Sequence, residues 1–164
     1  MAKAKLAKDL LGLSAEYAVA GMLCRRGIYA QLTLGKHKRA DILAETEKGF
    51  ARIQVKAKQQ REWPGLKGSL ISMADFVVFV DFQKKAIHEE PDFYILDHEA
   101  WLTCIKKMTK DEQQRFPDLS ILDDRTIVYP DGWKGFNIRA DRVLEWKDRW
   151  DLITNPIKGV LSCK

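Results

Sequence analysis

Apolar and polar positions alternate most cleanly from Arg52 to Lys58. Ile53, Val55 and Ala57 fall on one side and Arg52, Gln54, Lys56 and Lys58 on the other, the period-two signature of a half-buried strand. A second strand-like arm, Arg39-Ala40-Asp41-Ile42-Leu43, precedes it, with a tight turn at Glu47-Lys48-Gly49 between the two. A turn centred on Glu47-Lys48 sets Asp41 against Gln54, whereas one centred on Lys48-Gly49 sets it against Lys56. The registers differ by two residues, so both keep Asp41 on the polar face of the hairpin.

Upstream, Leu10, Leu13, Tyr17, Ala20 and Leu23 recur at helical spacing and predict an apolar stripe. Ser14 is expected to cap this helix and Gly27 to end it, with Gly12 as a break after a helical or frayed start. Ile28 to Leu34 reads as β. Residues 59–69 carry Pro64, Gly65 and Gly68 and read as a loop, in which Trp63 is either a core lid or a surface for stacking bases. Phe76 to Phe82 is an apolar run of strand length, suited to a central strand covered on both faces. Asp92 to Leu96 is another strand, and His98 to Met108 a helix. Thr126 to Tyr129 and Trp133 to Ile138 are short strand candidates. Asp141 to Ile153 predicts an amphipathic helix with Val143, Trp146, Trp150 and Ile153 on one face. Helix, hairpin, further strands and later helices give an α/β sandwich with a mixed sheet.

Composition narrows the class. The chain has 164 residues, 46% hydrophobic and 31% charged, which excludes a disordered or membrane-embedded protein. This length suits one domain over residues 1–164, with a motif region of roughly residues 10–100 and a helical elaboration at roughly 140–155. The basic start lacks a long hydrophobic region or a cleavage site, so a cytoplasmic protein is expected. Cys24, Cys104 and Cys163 are dispersed, as are the three histidines, which argues against a zinc ribbon or disulfide framework. The net charge of +5 is unevenly spread. Residues 1–61 carry 13 Lys and Arg against 5 Asp and Glu, and residues 62–164 carry 15 against 18. The positive field sits with the hairpin, as expected if a polyanion docks there.

Two acids give that face a chemistry. Glu16 falls three after Leu13 and four before Ala20, in or beside the predicted stripe. A carboxylate there loses hydration and calls for a cation, hydrogen bonds or a proton, unless it reaches water from the flank. If the helix packs on the hairpin, Glu16 and Asp41 share a metal ion. Lys36, His37, Lys38 and Arg39 form a cationic loop just before Asp41, placed either to hold a nucleic-acid backbone or as a solvated turn.

Glu, then Asp, then Gln-x-Lys, on helix, strand and next strand, resembles the PD-(D/E)XK nuclease superfamily. Residues 14–27 are similar to the first helix of Holliday-junction resolvases. Ala40-Asp41-Ile42-Leu43-Ala44 is similar to the metal-binding strand, and Ile53-Gln54-Val55-Lys56-Ala57 to the catalytic strand. Gln54 departs from the usual Glu or Asp, as in some group I intron homing endonucleases, and Ala40 replaces the usual proline. The resemblance implies a restriction-endonuclease-like sandwich, with a central mixed β-sheet flanked by helices. It implies a metal-dependent endonuclease acting on DNA, with Glu16, Asp41, Gln54 and Lys56 catalytic. Glu16, Asp41, the Gln54 side chain and the Val55 carbonyl would ligate Mg²⁺ or Mn²⁺. Lys36, His37, Lys38, Arg39, Lys58 and Arg61 would contact the strand. The alternative is a non-cleaving nucleic-acid-binding module on the same fold. Duplex cutting would favour a homodimer or higher assembly, because one site cuts one strand.

Overall fold

Four consecutive side chains, Val77 to Val80, are fully buried. Alternate residues of such a run point to opposite faces, so it demands apolar cover on both. The computed structural model describes residues 5–33, 40–72 and 74–154. In chain order these form α1 (Lys8–Cys24), β1 (Ala30–Leu32), β2 (Ile42–Thr46), β3 (Gly49–Lys58), β4 (Glu62–Leu66), a 3₁₀ turn (Gly68–Ile71), β5 (Phe76–Asp81), β6 (Asp92–Asp97) and α2 (His98–Arg115). Then follow β7 (Ser120–Ile121), β8 (Ile127–Val128), β9 (Phe136–Arg139), 3₁₀ turns at Ala140–Arg142 and Leu144–Trp146, and α3 (Asp151–Thr154).

A central five-stranded sheet has the order β1-β2-β3-β5-β6. The β3–β5 pair is parallel and the other neighbours are antiparallel, so this is a mixed α/β fold with helices on both faces. On one face Ala15, Val19 and Leu23 of α1 pack with Ile53, Val78 and Ile95. On the other, Trp101 and Ile105 of α2 pack with Val77, Phe79 and Leu96, joined by Trp63 from β4. Each large side chain so buried contributes about 1.5–3 kcal/mol. Two-stranded sheets β4–β9 and β7–β8 extend the second face. Among the described residues no helix is long and apolar enough to cross a membrane.

Three expectations are corrected. α1 runs unbroken through Gly12 and Ser14, and it buries Leu11, Ala15, Val19, Ala20 and Leu23. Leu10 and Tyr17 of the expected stripe are 59% and 64% exposed, and Leu13 is exposed as well. The side carrying Ala15 and Ala20 faces the sheet because small residues let the helix approach closely. Residues 62–66, expected as loop, pair with β9. The expected helix over residues 141–153, and with it the helical elaboration, is instead two 3₁₀ turns and a short α3. Lys147 is extended and bridges to Tyr94, while Asp148 adopts φ +54° and donates its N–H to the Phe93 carbonyl. Pairing with β6 thus replaces helical bonds, although Val143, Trp146, Trp150 and Ile153 are all buried.

Candidate functional site

The hairpin takes the first of its two registers. Thr46 pairs with Gly49 across Glu47-Lys48, and Ile42 pairs with Ile53, which sets Asp41 beside Gln54. Gly49 supplies the positive φ of +111° that the turn requires. Because β2 begins opposite Ile53, the remaining β3 residues, Gln54 to Lys58, have β5 along one edge and no described strand along the other.

Asp41 sits at this open edge, half-buried. Its Oδ2 accepts the Val55 N–H at 2.7 Å, a bond that a neighbouring strand would otherwise take. A strand residue directs its N–H and C=O toward the same neighbour, so the Val55 carbonyl faces the same edge as the Asp41 carboxylate. Thr33 pins the other side, donating its N–H to the Asp41 carbonyl (3.0 Å) and its hydroxyl to the Ala40 carbonyl (2.8 Å).

Glu16 reaches the site from α1. Burial raises its carboxyl above the ordinary value, the Asp41 charge raises it further, and the Lys56 ammonium lowers it. Glu16 is half-buried on α1, whose buried side packs on β3. Lys56 is half-buried on the polar side of β3. Gln54 Oε1, on that same side, is buried and has no hydrogen-bond partner among the described residues. Buried acceptors of this kind are uncommon and call for an explanation such as an ion.

The donor set is two carboxylates, one amide oxygen and one peptide carbonyl. All are hard oxygen ligands, which fit Mg²⁺ or Mn²⁺ and not a soft metal. No group of three His, Cys, Asp or Glu residues suited to a metal occurs among the described residues, so such a centre depends on Gln54 and the backbone.

Other expected contacts resolve differently. Lys58 is 3% exposed. Its ammonium lies 2.6 Å from Asp81 Oδ2, donates to the Gln60 carbonyl and to Gln83 Oε1, and sits over the Trp63 ring. It is a structural cation and leaves no face for a phosphate, which corrects its expected nucleic-acid role. Trp63 is 1% exposed and belongs to the core. Arg52 is held by Asp75 through both guanidinium and backbone contacts. Arg61 is exposed just beyond β3. Lys36, His37, Lys38 and Arg39 lie outside the described residues. Lys8 and Lys67, which no sequence motif marked, line a cleft together with Gln54 and Lys56; their exposure on unremarkable segments gave no one-dimensional signal.

Fold and site together define a mixed α/β sandwich with acidic, amide and ammonium groups gathered at the open edge of its central strand. No protein-family model matches the chain, and no curated protein sequence does. Among solved structures the chain is similar to a bacterial homing endonuclease, I-Ssp6803I, with 16% identity and a TM-score of 0.47, over 60% of this chain and 74% of that one.

Proposed function

We propose that this protein is a metal-dependent endonuclease that hydrolyses DNA phosphodiester bonds. The observation that carries the reading is the open edge of β3, where the Asp41 carboxylate is held by the Val55 N–H beside the buried, unpartnered Gln54 Oε1 and on the side of the strand that bears Lys56. Glu16, Asp41, the Gln54 side chain and the Val55 carbonyl would hold Mg²⁺ or Mn²⁺. Such an ion, when bound, polarises the phosphate and activates water.

The remaining work falls to the chain's own groups. The Val55 N–H fixes one Asp41 oxygen, and the other accepts no hydrogen bond among the described residues. Lys56 donates to the phosphate as negative charge develops there, or orients the attacking water. Arg61, together with the basic residues Lys36, His37, Lys38 and Arg39 that precede Asp41 in the sequence, would hold the flanking backbone. On α1 the exposed residues Leu10, Leu13 and Tyr17 recur at a spacing of three and four. That seam supports a homodimer, to be checked by sedimentation of wild type against Leu10→Lys.

The second reading is a nucleic-acid-binding module that does not cut, favoured by Gln54 standing where a third acid would complete the metal site. Plasmid, single-stranded and branched DNA should be incubated with the protein in Mg²⁺, Mn²⁺ or EDTA. Metal-dependent cutting lost in Asp41→Asn and Lys56→Ala supports the nuclease. Salt-sensitive binding with no cutting in any metal supports the module, and cutting undiminished in both variants overturns the assignment.

A further inference from the structure

A cleft of about 590 Å³ lies between the N-terminal half of α1, the polar side of β3 and residues 63–72. Its volume is within the about 300–1,000 Å³ of pockets that enclose small ligands. Two kinds of surface line it. Lys8, Lys56 and Lys67 supply positive charge, Ala57, Pro64 and Leu70 supply apolar area beside the mostly covered Leu11 and Leu66, and no Asp or Glu takes part. Among the described residues none of these three lysines is in an ion pair. The cavity of about 390 Å³ beside α2 differs: Glu62, Glu112 and Asp131 line it together with arginines, so nothing there selects an anion.

We propose that this cleft seats an unpaired nucleotide of a DNA strand whose adjoining phosphate lies at Lys56, making the protein selective for single-stranded or frayed DNA over continuous duplex. The consequence for cutting rests on the nuclease reading above; the binding preference does not. A continuous duplex turns phosphates and sugars outward and keeps its bases stacked. It would meet the lysines and leave the apolar floor around Leu70 in water. An unstacked base covers that floor, and a strand already unpaired avoids the few kcal/mol needed to extract a base. Trp63 lines the same cleft but is already covered, so the seat is aliphatic and tolerant of base identity.

The test uses Gly12, which lies in the helix and lines the cleft. A Cβ built there meets nothing within 4 Å, and leucine favours a helix interior more than glycine does. Gly12→Leu should therefore stay folded while filling the cleft. Binding of a fluorescein-labelled single strand and of its matching duplex is measured by anisotropy in EDTA, without turnover. Wild type should bind the single strand at least about tenfold more tightly. Gly12→Leu should remove that preference with duplex affinity unchanged, and Lys67→Ala should flatten the salt dependence of single-strand binding by about 0.7 in slope. Equal wild-type affinities, or an undisturbed preference in Gly12→Leu, would overturn the proposal. Failure to cut any DNA in Mg²⁺ with the preference intact would sink only the nuclease reading. Cutting without any preference would sink only this one.

Discussion

Replacing Lys58 with methionine separates a buried structural cation from a nucleic-acid contact. The ammonium is 3% exposed, paired with Asp81 at 2.6 Å, bonded to the Gln60 carbonyl and Gln83 Oε1 at 3.2 Å each, and 4.7 Å from the Trp63 ring centroid. Removing it leaves the Asp81 carboxylate buried with one remaining bond among the described residues, from the Gln83 N–H. Breaking a buried pair from one side costs about 3–5 kcal/mol. In a chain of this size each kcal/mol shifts Tm by about 2–4 °C, so Lys58→Met should unfold about 6–20 °C lower. The double variant Lys58→Met/Asp81→Leu should recover most of the loss, because an apolar pair of similar volume replaces both charges. Calorimetry of wild type, Lys58→Met, Asp81→Leu and the double variant gives the coupling directly. A lysine that served DNA from the surface would leave stability within about 0.5 kcal/mol and lower the salt slope of binding by about one. Unchanged Tm with a reduced slope would refute the burial argument.

Further outcomes follow from Glu16 and Gly68. The native state holds the Glu16 proton more tightly than the unfolded chain does. Its contribution is therefore harmless below the ordinary carboxylate value and becomes unfavourable as pH rises through the raised one. Glu16→Gln in EDTA should raise Tm at about pH 8 and not at about pH 3.5, while Mg²⁺ should stabilise wild type more than the variant. An equal gain at both pH values would mean that Glu16 is not desolvated. At Gly68 an added Cβ would collide with the Asp124 carbonyl oxygen and lie within 3 Å of two more backbone atoms. Gly68→Ala should cost at least about 1–3 kcal/mol by overpacking, and a denaturation midpoint matching wild type would contradict that packing.

The strands were the most legible part of the chain. The run ending at Asp81 allows only a central strand, and the hairpin turn left two registers that differ in nothing but the partner of Asp41. Glu16 was legible as an acid beside a helix core, but for partly mistaken reasons. α1 carries two interleaved apolar sets, and periodicity favoured the one with larger side chains. The sheet selected the set with alanines, which exposed Leu10, Leu13 and Tyr17. Lys58 was misassigned because alternation carries no information on the neighbouring strand. Its pairing with Asp81 follows from the parallel β3–β5 register, a long-range fact. The one clue was a carboxylate closing an apolar run, which needs a cation. Residues 141–153 kept their burial pattern yet lost their helix, because contacts with β6 outweighed local propensity.

The central claim is that a helix, a strand edge and the adjoining strand supply one hydrolytic centre, and Glu16 is the member most remote in sequence. The most direct measurement is nicking of supercoiled plasmid in Mg²⁺ by wild type and Glu16→Gln at matched concentration, with folding checked by circular dichroism. Metal-dependent nicking by wild type, reduced at least about 100-fold in the variant, is the predicted result, since removal of one transition-state group costs on that scale. Nicking by Glu16→Gln at the wild-type rate, or wild-type nicking that persists in EDTA, would contradict the account.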